Sequence, residues 1–317
     1  MNNVNCLLIS NTIDYSTDFI ALELEKRNIN YLRINRDQFS NYNILYDLEK
    51  NNMYIDIENE EYCISNEYLR SVYFRAPVFL RSSKKYDLLE QLYRSQWSAF
   101  LRNLIIFDAK VIWINHPVYT YQAENKLYQL KVAKEIGFDV PETLLSNFVP
   151  KNISDDNVYV VKSLDTALFY QDDLEMFTYT SVITGKELIS ANLIAAPVII
   201  QNYLSNKIDI RVTIVGDYIF AVDITKKGNQ IEGDWRKNTK EDLLYRKIIL
   251  PKEIVDKIKA IMQKLNLNFG GMDLAKVNNN YYFIEVNPTG EWGWLVSTAD
   301  IPINKAIVST MLEGKKQ

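Results

Sequence analysis

One stretch near the C-terminus restricts the fold more than any other: FGGMDLAKVNNNYYFIEVNPTGEWGWL, residues 269–295. Residues 272–277 and 281–286 are rich in strand-forming side chains and flank Asn278, Asn279 and Asn280, a strong turn signal. If those three asparagines form the loop, Val277 pairs with Tyr281 and Asp273 falls directly opposite Glu285. Opposed residues have Cβ atoms about 4.5–5.5 Å apart, and like charges there repel. Asn287 follows Glu285 at i+2 and shares its face. Two carboxylates and an amide oxygen on one face suit a hard cation such as Mg²⁺, which takes oxygen ligands and shares them with phosphates. An ordinary solvated hairpin face is the alternative, and a one-residue change in the turn would break the pairing.

The remaining chain decides between these readings. Its 317 residues suffice for two or three subdomains with cores of their own. A net charge of -4 gives no basic footprint for nucleic acid. No apolar run approaches the ~20 residues of a membrane span, and CLLIS is too short for a signal-peptide core. A cytoplasmic protein is the expectation. Cys6 and Cys63 are the only cysteines, with Cys6 in a buried strand, so neither a disulfide framework nor a zinc site is expected. His116 is the single histidine, which leaves little room for His-centred catalysis.

The chain opens β-α-β: a strand over 4–9, a helix over 17–27 and a strand over 30–34, the start of a parallel α/β unit. Residues 44–64 alternate like a hairpin. SVYFRAP (71–77) is a short strand stopped by Pro77. The periodicity predicts an amphipathic helix over 84–104 with Leu89, Tyr93, Phe100 and Leu104 as its core stripe. A strand over 111–115 follows, and a first subdomain closes near Tyr119. A helix over 122–136 ends at Gly137, with Pro141 beyond it. Strands are expected at 157–164 and 196–204, with an irregular segment between them. Residues 209–226 form a hairpin turning at Gly216-Asp217, and a helix over 251–265 leads back to the opening stretch.

Lys162 sits in its strand on the face of Val158 and Val160, where a lysine needs an anionic partner. Lys126 lies near the start of its helix. Either could be a surface lysine alone; beside a paired-carboxylate metal site the two look like phosphate clamps. Arg211 shares a strand face with Asp209, and Asp234, Trp235, Arg236 and Asn238 form a second polar cluster. Local ion pairs would explain both groups, yet Arg is the residue suited to forked recognition of carboxylate or phosphate. Neither GxGxxG, GxxxxGK[ST] nor GxSxG occurs.

In order, Lys126 at a helix start, Lys162 in VYVVKS, QNYL, DIRV, DWRKN, GGMDLA and FIEVNPTG resemble the ATP-grasp ligases over about residues 110–296. IEVNP with its upstream Asp, DIR and DWRKN resemble the branch containing ribosomal-protein glutamate ligases. VYFRAP and the tail NPTGEWGWL are most similar to the synthetases of microviridin-type peptides, the graspetide macrocyclases. The resemblance implies an α/β ATP-grasp fold: a parallel pre-grasp subdomain over 1–119, a central subdomain over 120–200, and a C-terminal subdomain with the metal site over 201–317. ATP and Mg²⁺ are the implied cofactors. Lys126 and Lys162 would contact ATP phosphates, Gln201, Asn202, Tyr203 and Leu204 would form the adenine hinge, and Asp273, Glu285 and Asn287 would hold Mg²⁺. Arg211 would bind the transferred or acyl phosphate. Asp209 and Arg211, a D-x-R pair, would contact the reacting acid, and Arg236 and Asn238 would complete the pocket. Asn202 stands where many relatives have Glu. The segment after Lys162 lacks a Gly-rich flap, which leaves residues 165–190, with Phe169, Tyr170, Phe177 and Tyr179, to bind the leader of a precursor peptide.

The resemblance therefore implies a Mg²⁺-ATP-dependent enzyme that activates Asp or Glu side chains of a ribosomal precursor peptide as acyl phosphates. It would close side-chain esters with Thr or Ser, acting without nucleic acid or membrane; a homodimer is compatible with it. An intermolecular ligase adding an amino acid to a peptide or small acid is the alternative. A non-catalytic nucleotide-binding module is the third reading.

Overall fold

The structure is a computed structural model that describes residues 1–75, 87–107, 110–164, 168–171, 174–177 and 180–314. For residues 168–171, 174–177 and 240 the backbone alone is described. Among the described residues, no helix is long and apolar enough to cross a membrane.

The N-terminal unit is built on a parallel sheet in the order Tyr31–Asn35, Cys6–Ser10, Ser71–Phe74, Ile112–Ile114. Its central strand is apolar on both faces, as parallel strands covered on both sides are. Alternation sends Leu7 and Ile9 into one core with Leu32, Ile34 and Trp113. Cys6 and Leu8 enter another, with Ile20 and Leu24 of the helix Tyr15–Lys26 and with Trp292, Leu295 and Ile307 from the C-terminus. The N-terminal sheet thus packs directly on the end of the chain. Strands Asn43–Asp47, Asn52–Ile57 and Glu60–Ser65, with Asn2–Asn3 at the edge, add a second sheet.

The helix Leu88–Asn103 differs from the expected stripe. Leu104 and Leu101 are buried, but Leu89 and Tyr93 are 59% and 57% exposed. Only the last turns lie over the core, where Phe100 meets Phe39 and Trp97. The helix expected over 122–136 is two helices, Pro117–Ala123 and Lys126–Ile136. Asn125 divides them by capping the second, its side chain accepting from Tyr128 N at 3.0 Å.

Two antiparallel sheets follow. One orders Ser181–Thr184, Val158–Lys162, Val198–Asn202 and Thr143–Ser146. The other orders Leu243–Ile248, Tyr218–Lys226, Ile208–Val215, Phe269–Val277 and Asn280–Asn287. A two-stranded ribbon, Leu168–Gln171 with Leu174–Phe177, stands apart. Asp172, Asp173 and Tyr179 of the expected leader-binding segment lie outside the described residues, as do Ala76 and Pro77 of VYFRAP. One face of the five-stranded sheet (Ile210, Val212, Met272, Leu274, Phe283, Val286) is covered by helices Lys126–Ile136 and Lys252–Lys264.

The opening hairpin corrects one expectation. The loop is two residues, Asn278-Asn279, because Val277 pairs with Asn280. Asn278 adopts the left-handed conformation at φ 54° that such a tight turn requires. That register alone would put Asp273 out of step with Glu285. A bulge beside Leu274 inserts one residue and restores the pair, so Asp273 does face Glu285. Packing explains the bulge. Phe283 and Val286 are three apart, an odd spacing that a regular strand would send to opposite faces, yet both enter the same core.

A buried amide ties the N-terminal unit to this hairpin. Asn115 donates to Phe269 O and Pro288 O and accepts from Asn268 N and Phe269 N, all at 2.8 Å. Asn115→Ala is predicted to destabilise the fold by roughly 3 kcal/mol, because several buried backbone groups lose their partner. Equilibrium urea unfolding measures this; an unchanged midpoint would contradict the assignment.

Candidate active site

A cleft lies between the four-stranded and five-stranded sheets. Lys162, Gln201, Asn202, Tyr203, Leu204, Asp209, Arg236, Asp273 and Glu285 line it. Its charged wall is a consequence of register. Arg211 pairs with Asp273, and Asp273 with Glu285, so three charged residues stand abreast on neighbouring strands. They occupy the face opposite the helix-covered one. Arg211 is only 8% exposed and lies behind Asp273, its Nη1 donating to Asp273 Oδ1 at 2.9 Å. Two glycines make room for it: a Cβ at Gly271 or Gly290 would overlap the guanidinium. Arg211 Nε is buried without a hydrogen-bond partner among the described residues.

Cations gather at Glu285. Arg236 Nη1 stands 3.6 Å from Glu285 Oε1, while its other contacts fasten it to Asp234. Lys126, the first residue of its helix, donates to Ser163 O at 3.2 Å, one residue beyond Lys162. Burial opposes a charged Glu285, but Lys162, Arg236, Lys126 and Arg211 outweigh it and hold the carboxyl below the usual range. Burial pulls the Lys162 ammonium below its usual range; Glu285 pulls the other way, while Lys126 and Arg236 lower it further. Such clustered cations around buried carboxylates suit a ligand that brings both anionic oxygens and a metal. Asp209 forms an ion pair with Lys207. Burial still pushes its carboxyl up to about 6, with Lys207 offsetting part of the effect.

The donor set fits Mg²⁺. Asp273 and Glu285 are directly opposed, and Asn287, paired with Gly271, adds an amide oxygen two residues beyond Glu285. That amide oxygen also accepts Thr289 N–H at 2.9 Å, which fixes its orientation. All three donors are hard oxygens, the class Mg²⁺ takes.

At the hinge, backbone hydrogen bonds discriminate among the expected residues. Asn202 N–H donates to Glu142 O and Tyr203 N–H to Val158 O. Gln201 is buried, with Nε2 on Thr143 Oγ1 at 2.8 Å. Among the described residues no acceptor is assigned to Leu204 N–H, which leaves it able to meet a ligand. Asn238 lines a neighbouring cleft with Glu232, Gly233 and Lys237 and donates to Trp235 O. Trp235, expected beside Asp234 and Arg236, lines the main cleft, and so do Lys207, Thr180 and Val182, which were not anticipated. Lys207 had a signal, since it alternates with Asp209 and Arg211 along one strand. The sheet-edge residues Thr180 and Val182 had none.

Comparisons with known proteins bear on the fold that carries this cleft. Residues 171–311 match the RimK-like ATP-grasp domain. No curated protein sequence matches the chain significantly. Among solved structures, the macrocyclase MdnC from Microcystis aeruginosa MRC, bound with precursor peptide MdnA, is 23% identical with a TM-score of 0.81, covering 97% of this chain and 99% of that one. A RiPP-associated ATP-grasp ligase from Chryseobacterium gregarium, in complex with ADP and a leader and core peptide, is 21% identical with a TM-score of 0.84, covering 100% of this chain and 98% of that one. The ATP-grasp ligase PsnB, complexed with minimal precursor, Mg and ADP, is 19% identical with a TM-score of 0.74, covering 98% and 99%. At these identities the likeness speaks for the fold. The chain has the ATP-grasp fold, and its residues 171–311 are similar to the RimK-like ATP-grasp domain.

Proposed function

We propose that this protein is a Mg²⁺-ATP-dependent ligase that cyclises a ribosomally made precursor peptide through its side chains. The observation that carries this reading is the row Arg211–Asp273–Glu285, flanked by Lys126, Lys162 and Arg236, on a fold shared with precursor-bound macrocyclases. In this reading residues 1–119, 120–200 and 201–317 act as pre-grasp, central and C-terminal subdomains. Leu204 N–H and the hinge backbone hold the adenine. Lys126 and Lys162 neutralise the phosphates, and Arg236 closes that side of the pocket, with Asn238 in the adjoining cleft. Asp273, Glu285 and Asn287 would hold Mg²⁺, which would supply charge neutralisation at the phosphate oxygens.

A carboxylate oxygen of a peptide Asp or Glu attacks the γ-phosphorus and ADP leaves. Arg211, already fixed on two sides, holds the resulting acyl phosphate, and preorganisation of this kind lowers the barrier without a covalent enzyme nucleophile. Asp209 orients the reacting peptide beside it. A Thr or Ser hydroxyl of the same peptide then attacks the acyl carbon, loses its proton, and inorganic phosphate leaves. Tethering both groups on one chain supplies the effective concentration. The leader of the precursor docks on the 165–190 segment.

Each ring formed this way removes one water and joins nothing else. With a peptide bearing Asp, Glu and Thr side chains, mass spectrometry is predicted to show successive water losses only, reversed by mild alkali because the links are esters. Alkali-stable rings would assign a lysine amine as acceptor. A mass gain from an added amino acid would replace cyclisation by intermolecular ligation.

Arg211 is also predicted to separate binding from chemistry. Arg211→Gln should retain nucleotide binding within about threefold, while peptide-dependent ADP release falls by about 100-fold or more. Equal loss of both would contradict its assignment to the acyl phosphate.

A further inference from the structure

A polar network outside the cleft joins the N-terminal unit to the loop after the C-terminal hairpin. Arg75 follows the strand Ser71–Phe74 of the N-terminal sheet and is 11% exposed. Its guanidinium uses all three nitrogens. Nε donates to Asp14 Oδ2 at 2.9 Å, Nη1 donates to Gly290 O at 3.0 Å, and Nη2 pairs with the Glu291 carboxylate. Asp14 is in turn held by Ser10 at 2.6 Å and Thr17 at 2.9 Å. The Glu291 carboxylate also accepts from Ser16, from Trp292 N at 3.1 Å and from Gly293 N at 3.0 Å. The Gly290-Glu291 loop therefore has its carbonyl and its side chain both fastened to the N-terminal unit.

That loop touches Arg211. Glu291 O accepts from Arg211 Nη2 at 3.3 Å and from Trp294 Nε1 at 3.3 Å. Gly290 packs so closely on Arg211 that a Cβ there would overlap Nη2. Asp273 fixes one side of the guanidinium, and the Gly290-Glu291 backbone fixes the other. A displaced loop leaves Arg211 with a single anchor.

We propose that Arg75 is a positioning residue, which clamps the Gly290-Glu291 loop so that the Glu291 carbonyl aims the Arg211 guanidinium. The inference rests on the reading that Arg211 holds the acyl phosphate. It makes the N-terminal unit a working part of the site although Arg75 is not among the residues that line the main cleft. Only arginine serves, because the three acceptors need a planar fork; lysine reaches one of them.

The test uses the full chain with Mg²⁺-ATP, a synthetic peptide bearing Asp, Glu and Thr side chains, and hydroxylamine to capture acyl phosphate. Arg75→Leu is expected to lower kcat about 100-fold, the scale of an ångström-size misplacement, with KM for ATP unchanged within about threefold. Arg75→Lys should recover only part of the loss. Glu291→Gln keeps the carbonyl and the amide contacts but loses the charge on the clamp, and should cost about tenfold. In an Arg211→Lys background, Arg75→Leu should cost under about threefold, since the residue it serves is already altered. Should Arg75→Leu not fold, by circular dichroism and thermal unfolding, Glu291→Gln carries the same cycle. Full additivity with Arg211→Lys, or a rise in KM for ATP without loss of kcat, would overturn the positioning role. A wild-type chain that releases no ADP with the peptide would instead overturn the functional reading beneath it.

Discussion

Arg211, Asp273 and Glu285 stand abreast on three adjacent strands, and the rest of the site is arranged around the cost of keeping them there. Like charges opposed across a strand pair repel, and a guanidinium at 8% exposure is poorly solvated. The structure answers with counter-charges at both ends. Arg211 neutralises Asp273, while Arg236, Lys162 and Lys126 face Glu285.

Alternation allows such a row to exist. The same three strands bury Ile210, Val212, Met272, Leu274, Phe283 and Val286 on the opposite face, against two helices. One of these helices begins with Lys126, so the apolar packing that stabilises the sheet also sets the position of this lysine at its edge. Gln129, one turn further on, both donates to and accepts from the Val286 backbone, at 2.7 and 2.8 Å, between Glu285 and Asn287. Helix, strand and donor set are thereby held in one frame. The N-terminal sheet contributes through Asn115 and Arg75, each of which reaches across to the C-terminal hairpin or the loop after it.

Much of this was legible in the sequence because it rests on local periodicity. The charged residues interrupt apolar strands at even spacings, and that pattern identified Asp273, Glu285, Arg211 and Lys162. The Asp273–Glu285 pairing was reached through a three-residue loop, whereas the chain uses a two-residue loop and a bulge. Two local deviations cancel, and only the shared burial of Phe283 and Val286 reveals the second. That Leu204 N–H has no acceptor among the described residues was not legible, since it depends on which neighbours the ladder consumes. Arg75 was invisible as a clamp because its partners lie 215 and 216 residues away. The stripe of the helix Leu88–Asn103 misled because periodicity gives a helix's apolar face but not how much of its length meets a core.

The central claim is that the opposed carboxylates bind a divalent cation together with ATP. Mn²⁺ substitutes for Mg²⁺ at oxygen sites and is visible by electron paramagnetic resonance. Titration of Mn²⁺ into the protein with ATP should give a single protein-bound cation. Asp273→Asn and Glu285→Gln should each weaken it by about tenfold or more, some 1.4 kcal/mol, without loss of folded structure. Mn²⁺ binding of unchanged affinity in both variants would contradict the account.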